Sequence, residues 1–74
     1  MNTLATPNLN DATLEVKDRI ATLTLNRHDV RNALTGTGLI EDIVTTCEWV
    51  NQADHVSVLI ITGAGSSFSG GGNI

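Results

Sequence analysis

Five of the seven glycines in this chain lie between residues 63 and 72, directly after the apolar run at residues 58–61. They are Gly63, Gly65, Gly70, Gly71 and Gly72. A strand that enters a glycine-rich loop is how α/β proteins present bare backbone N–H groups to an anionic oxygen. The stretch therefore predicts an anion-binding loop, which the remaining elements must hold in place.

Three common phosphate loops can be tested by their spacing. The P-loop requires Gly-Lys-Ser/Thr, and no lysine follows Lys17. The dinucleotide fingerprint G-x-G-x-x-G fails because Phe68 stands at its third glycine position. The short-chain reductase pattern begins correctly at Thr62-Gly63, but Ser67 stands where its next glycine is required. These spacings disfavour a nucleotide loop of any of the three types.

Length and charge limit the classes of function. A chain of 74 residues makes one small domain, and its 41% hydrophobic content is typical of a globular protein. The net charge of −4 and four dispersed basic residues disfavour a nucleic-acid partner. No apolar run is long enough to span a membrane, and the first ten residues lack the features of a secretory signal. We therefore expect a cytoplasmic protein without a membrane partner.

The single cysteine, Cys47, cannot form an internal disulfide, and with two scattered histidines it makes no metal framework. We expect no metal site. Because Cys47 lies at helical spacing from other apolar residues, we expect it to be a core thiol rather than a nucleophile.

Hydrophobic periodicity predicts the elements that carry the glycine loop. Residues 1–11 have no periodicity and are predicted to be a flexible leader to a domain at residues 12–74. Residues 13–17 and 20–25 alternate apolar and polar side chains, which predicts two strands. Only Asp18 and Arg19 separate them, so the strands should form a β-hairpin.

The period then changes to that of a helix over about residues 37–52. We expect Thr35 to be its N-cap, while Trp49 lies off the main apolar stripe. That predicted stripe comprises Leu39, Ile43, Cys47 and Val50, widened by Ile40 and Val44.

Residues 56–62 are mostly apolar, without alternation at residues 58–61, which is typical of a parallel strand covered on both faces. The second strand, the helix and this third strand would make a right-handed βαβ unit. Because one helix cannot cover both faces of a sheet, we expect further protein beyond Ile74.

Several sequence blocks, in this order and spacing, resemble the amino-terminal part of the crotonase (enoyl-CoA hydratase/isomerase) superfamily. They are Leu25-Asn26-Arg27, Arg31-Asn32-Ala33-Leu34-Thr35, Val58-Leu59-Ile60-Ile61-Thr62-Gly63-Ala64-Gly65 and Phe68-Ser69-Gly70-Gly71-Gly72-Asn73-Ile74. The resemblance extends from about residue 12 to the end of the chain.

The resemblance implies an α/β fold, a spiral of ββα units of which this chain holds the first hairpin, helix and third strand. It also implies assembly into homotrimers or hexamers. The implied substrate is an acyl thioester of coenzyme A, with no separate cofactor. Its thioester oxygen would lie in an oxyanion hole of two backbone N–H groups, one of them from Gly72. The implied substrate and coenzyme A contacts are Arg31, Ala33, Leu34, Gly70, Gly71, Gly72, Asn73 and Ile74.

The sequence departs from the family pattern in three places. Asn73 stands where Asp is frequent, His28 where Pro is common, and Arg19 where Gly is common. The second oxyanion donor and the paired glutamates of hydratases are expected farther along a complete chain. Glu15, Glu41 and Glu48 occupy positions that the family does not use in catalysis.

The preferred hypothesis is an enoyl-CoA hydratase, a lyase of fatty acid metabolism that adds water to a 2-enoyl-CoA. This stretch alone is expected to be inactive. Two alternatives stay open: another crotonase reaction such as double-bond isomerisation, and a non-catalytic fragment that binds a coenzyme A thioester or a protein partner.

Overall fold

The computed structural model describes residues 5–72, in which three strands and one α-helix form a small α/β unit. The strands are β1 (Ala12–Lys17), β2 (Ile20–Leu25) and β3 (Val58–Gly63), and the helix is α1 (Leu39–Gln52). A short 3-10 helix (His28–Val30) lies in the connection between β2 and α1. The predicted fold class is confirmed.

The sheet has the strand order β1-β2-β3. β1 pairs with β2 in antiparallel fashion, and Asp18 and Arg19 at their turn both have positive φ, 53° and 67°. A type I′ turn requires that conformation, so the hairpin forms although neither residue is glycine. β3 pairs with β2 in parallel, with Ile61 opposite Leu23, which confirms the βαβ unit.

The core lies between one face of the sheet and α1. The alternate residues Ala21, Leu23 and Leu25 of the central strand are almost completely buried. Leu39 from the first turn of the helix packs against Leu23 and Leu25 in one cluster. Because β2 has a neighbour on each side, its inward side chains are the most completely enclosed of the sheet.

The helix begins two residues later than predicted, and its N-cap is Gly38 rather than Thr35. Thr37 instead accepts a hydrogen bond at its hydroxyl from the N–H of Leu39 at 3.3 Å. The positive φ of 78° at Gly36 keeps the preceding turn out of the helical conformation.

The face that α1 buries differs from the predicted apolar stripe. Its buried side chains are those of Leu39, Asp42, Thr46 and Trp49. Ile40 and Val44 are about half exposed and Cys47 is exposed, so the prediction of a core thiol is wrong. The helix is turned this way because a polar side chain in its first turn, Asp42, has partners on the inner side.

Asp42 connects the helix to the start of β1. Its carboxylate accepts hydrogen bonds from the backbone N–H groups of Asn10, Asp11 and Ala12 at 2.7–2.8 Å. Trp49, nearby on the same face, donates its indole N–H to the Ala5 carbonyl at 2.8 Å. These contacts hold part of the predicted leader against α1; its flexibility stays a prediction.

The second face of the sheet is open in residues 5–72. Val58 and Ile60 of β3 project there and are about half exposed, so residues 5–72 cover only one face of this strand, and its coverage on both faces stays a prediction. The reason is that the single helix packs on the opposite face, against Leu59 and Ile61. No helix in the described range is long and apolar enough to cross a membrane.

Candidate functional site

Two loops meet at the end of the sheet where β2 and β3 finish. The first connects β2 to α1, and the second is the glycine loop after β3. The N–H of Gly70 donates to the Arg31 carbonyl at 2.7 Å, and the N–H of Leu34 donates to the Gly71 carbonyl at 2.8 Å. The two backbones therefore pair like a short piece of sheet, which fixes their relative position.

Ser69 adds a bridge within the same contact. Its hydroxyl donates to the Asn32 carbonyl at 2.8 Å and accepts from the N–H of Gly71 at 3.0 Å. Gly71 has a φ of 80°, a conformation that side-chain-bearing residues rarely adopt. The glycine at this position lets the loop reverse toward the first loop.

Asn32 lies between the two loops and is completely buried. Its side-chain carbonyl accepts from the backbone N–H of Arg27 at 2.7 Å. Its amide nitrogen contacts three carbonyl oxygens of the second loop, at Ala64, Ser67 and Phe68, at 3.1–3.2 Å.

A cleft of about 490 Å³ opens beside the paired loops. Its lining is mostly small and neutral, and Arg31 is the one charged residue among its members: Val30, Arg31, Ala33, Thr35, Gly36, Thr37, Gly70 and Gly72. A larger hollow of about 530 Å³ lies along the β1–β2 hairpin, lined by residues such as Glu15 and Lys17. We take the smaller cleft as the site because the loops converge there and the hollow has no such loop.

The backbone N–H of Gly72 has no hydrogen-bond partner among residues 5–72. By contrast, the N–H of Ala33, also in the lining, donates to the Val30 carbonyl at 3.1 Å. Among residues 5–72, a side chain at Gly72 would meet nothing nearer than a methyl group of Thr35 at 3.9 Å. Gly72 thus provides a backbone donor at the cleft in an uncrowded position.

Comparison with known proteins agrees with this arrangement of loops. The chain is 36% identical over 58 residues to a hydroxycinnamoyl-CoA hydratase-lyase of Pseudomonas fluorescens, covering 78% of this chain and 21% of that protein. It superposes on an enoyl-CoA hydratase/isomerase of Mycobacterium paratuberculosis with a TM-score of 0.82 at 31% identity, over 90% of this chain and 26% of that one. For an enoyl-CoA hydratase of Mycobacterium tuberculosis the TM-score is 0.78 at 32% identity, over 85% and 27% of the two chains.

The chain has a partial crotonase-superfamily fold. The resemblance inferred from the sequence blocks is thereby confirmed, although no protein-family model matches the chain. The chain spans between a fifth and about a quarter of the length of these relatives.

The residues that the crotonase resemblance implies fall into three groups. Arg31, Ala33, Gly70 and Gly72 line the cleft. Leu34 and Gly71 are not in its lining and form one of the hydrogen bonds between the loops. Asn73 and Ile74 lie outside the described residues. The assignment of all eight as contacts of substrate and coenzyme A stays a prediction.

Five residues of the candidate site were not predicted from the sequence. Val30, Thr35, Gly36 and Thr37 line the cleft without having been predicted. The buried Asn32 was also missed, since a polar residue within a polar connection carries no sign of burial. Its position in the sequence between Arg31 and Ala33, two predicted contacts of substrate and coenzyme A, was the only available sign of a role in the site.

An ion-pair network supports the first loop from outside the cleft. The Arg27 guanidinium donates two hydrogen bonds to the Asp29 carboxylate, at 3.0 and 3.1 Å, and a third to Asp11 at 3.3 Å. Hydrogen bonding to Arg27 lowers the pKa of Asp29 below its ordinary value of 3.8. The same interaction with Asp29 raises the pKa of Arg27, which stays charged. Its charge is therefore neutralised locally, unlike that of Arg31.

The histidines take no part in the cleft. His28 lies in the 3-10 helix with its ring against Gly65, and the ring of His55 contacts Trp49 edge-on at 5.5 Å between centroids. Within residues 5–72 no group of three or more His, Cys, Asp or Glu side chains could hold a metal ion.

Proposed function

We propose that this chain is the acyl-CoA-binding part of a crotonase-family enzyme, and that the complete protein is an enoyl-CoA hydratase. In this proposal the cleft beside the paired loops holds the thioester end of the substrate and the adjoining part of coenzyme A. The single observation that carries it is the unpartnered N–H of Gly72 at a cleft with one cationic residue.

The chemistry follows from the charge that develops during reaction. When a nucleophile adds to a 2-enoyl thioester, negative charge collects on the thioester oxygen. A backbone N–H that is already in place stabilises this charge without reorganising, and removing one such donor in comparable sites costs about 3 kcal/mol. Gly72 would supply one of two donors.

The charge of Arg31 suits the other end of the ligand. Among residues 5–72 its guanidinium forms no ion pair, although its carbonyl accepts the hydrogen bond from Gly70. Coenzyme A carries phosphate groups, which guanidinium groups bind well. We infer that Arg31 contacts a phosphate, while Ala33 and the glycines allow close approach of the backbone to the thioester arm.

A second candidate function is a coenzyme A thioester-binding piece without catalysis. It is favoured by one observation: no Asp or Glu lines the cleft within residues 5–72, so no general acid or base is available there. Hydration needs such a group to activate water, and isomerisation needs one to move a proton. Trimeric or hexameric assembly and a cytoplasmic location stay expectations for the complete protein.

Calorimetric titration of the purified chain with crotonyl-CoA tests the binding proposal. We expect saturable binding that weakens about tenfold in Arg31→Ala, as for loss of one hydrogen bond to a charged group. Lys17→Ala is the matched control, because it removes the same charge from the hairpin, away from the cleft. Absence of binding, or equal weakening by both substitutions, would contradict the proposal.

The same sample separates the two candidate functions. Incubation with crotonyl-CoA, followed by chromatography of the thioesters, shows whether 3-hydroxybutyryl-CoA forms. We expect binding without turnover by the 74 residues. Turnover by this chain would overturn the binding-only candidate and the inference that a catalytic acid or base is missing from the cleft.

A further inference from the structure

We propose that Asn32 is a positioning residue that sets the conformation of the glycine loop and, through it, the place of the Gly72 N–H. The proposal deepens the proposed function and rests on it only for the role of Gly72 toward the thioester. The one-sided distribution of its contacts carries the argument: the side chain comes from the first loop, and its donor group binds only the second.

The side chain of Asn32 is buried between the two loops. Asn32 is completely enclosed, and a buried amide without partners is costly. Its φ of 54° is in the left-handed region, which Asn tolerates better than most residues. The position therefore requires both a left-handed backbone conformation and a side-chain amide, and few other residues provide both.

The hydrogen bonds of the Asn32 side chain have a definite direction. The side-chain oxygen accepts from the Arg27 N–H, within the first loop. The side-chain nitrogen has only two hydrogens for three carbonyl oxygens, so at least one hydrogen is shared. An acceptor cannot replace this group, because every partner in the second loop is itself an acceptor.

A chain of hydrogen bonds leads from Asn32 toward the cleft. Its amide holds the loop at Ala64, Ser67 and Phe68, before the loop turns back toward the first loop. Its own backbone carbonyl accepts from the Ser69 hydroxyl, which in turn accepts from the Gly71 N–H. Gly71 immediately precedes Gly72, so a loop released from Asn32 loses the contacts that place the donor.

Asn32→Asp is the sharpest test, since it keeps size, shape and the acceptor for Arg27. It puts a carboxylate oxygen against the three carbonyl oxygens. Amide hydrogen exchange followed by NMR on the full chain gives the readout. We expect exchange at Gly70 and Leu34 to accelerate at least about tenfold, as for loss of one buried hydrogen bond. The amide of Leu23 in the central strand should exchange at an unchanged rate.

The matched control is Asn8→Asp, which adds the same charge at an exposed side chain. A second pair of variants covers the case in which Asn32→Asp unfolds. Ser69→Ala removes the bridging hydroxyl and should speed exchange at Gly71 severalfold, while Ser69→Thr keeps a hydroxyl and should restore protection. If these side chains served only general stability, their substitution would accelerate exchange of strand and loop amides alike, and Ser69→Thr would not restore protection at Gly71.

Affinity for crotonyl-CoA completes the test. We expect Asn32→Asp to weaken binding about tenfold and Asn8→Asp to leave it unchanged. Unchanged loop exchange in Asn32→Asp, or equal acceleration at Leu23, would overturn the positioning role. Faster loop exchange with unchanged affinity would overturn the connection to the ligand. If the unsubstituted chain binds no crotonyl-CoA, the proposed function fails, and the exchange rates still decide the role of Asn32.

Discussion

Replacing Gly72 by proline tests the oxyanion donor directly, because proline lacks the backbone N–H; its ring also fixes φ at about −65° and restricts the conformation of the preceding residue. The structure favours this experiment at Gly72. The residue is not among the glycines with positive φ, and within the described part of the chain the nearest atom to the place of a Cβ is a methyl group of Thr35, at 3.9 Å. Gly72→Ala is the control, since it adds a Cβ of similar position and keeps the N–H.

The expected effect of Gly72→Pro is smaller on binding than on catalysis. A neutral hydrogen bond to the ground-state thioester oxygen contributes about 1 kcal/mol, so Gly72→Pro should weaken crotonyl-CoA binding about fivefold. In an enzyme that joins this segment to its catalytic groups, the donor faces developing negative charge. Loss of about 3 kcal/mol there lowers kcat by roughly a hundredfold or more. Gly72→Ala should stay within about twofold of the unsubstituted protein in both measurements.

Calorimetry with crotonyl-CoA measures the first effect, and steady-state hydration kinetics measure the second. Near-normal kcat in Gly72→Pro would refute the assignment of Gly72 as a donor. Equal losses in the proline and alanine variants would show that the loop tolerates no side chain, which contradicts the open surroundings of this glycine.

Three further predictions concern the supports of the site. Gly63→Ala should lower the free energy of unfolding by about 1–3 kcal/mol in urea titrations, because its Cβ would lie 2.5 Å from two backbone oxygens of the glycine loop; Gly72→Ala, with an open surrounding, should change it little. Asp42→Ala should lower the free energy of unfolding by about 3 kcal/mol or more, since three backbone N–H groups lose their acceptor. Glu41→Ala, at an exposed side chain, is the comparison, and an equal loss there would contradict the stabilising role of the buried Asp42 carboxylate. Asp29 has a lowered folded-state pKa, so its pair with Arg27 stabilises the chain above about pH 4, and this stabilisation is lost as pH falls through the folded-state pKa. Thermal melting should therefore show a slightly lower Tm for Asp29→Asn near neutral pH and no difference in acid. A difference in Tm that grows in acid would contradict the direction of the pKa shift.

The β-hairpin and the βαβ unit could be predicted because their causes are local. Alternation along residues 20–25 is a property of the sequence itself, and the structure buries Ala21, Leu23 and Leu25 as that pattern requires. The end of the helix at Gln52 was likewise predicted from the polar residues that follow it. The start was not, since the backbone N–H of Gly38, the N-cap, donates to the carboxylate of the distant Asp11.

The face that the helix buries depended on tertiary contacts. Periodicity treats Asp42 and Thr46 as outward residues because they are polar, and it placed Cys47 in the core. The structure reverses this, since backbone N–H groups at sequence separations of 30, 31 and 32 residues donate to the Asp42 carboxylate. No hydrophobic pattern contains that information.

For the candidate site, the sequence was sufficient to indicate the family. Glycine spacing eliminated the nucleotide fingerprints, and ordered blocks pointed to the crotonase superfamily. Which residues meet there depends on the tertiary structure. Arg31 and Gly70, far apart in the chain, are joined by a 2.7 Å hydrogen bond, and Asn32 holds both loops from a buried position. The physical reason is that a hydrogen bond between loops depends on the packing of β2 and β3 side by side, which local sequence does not encode.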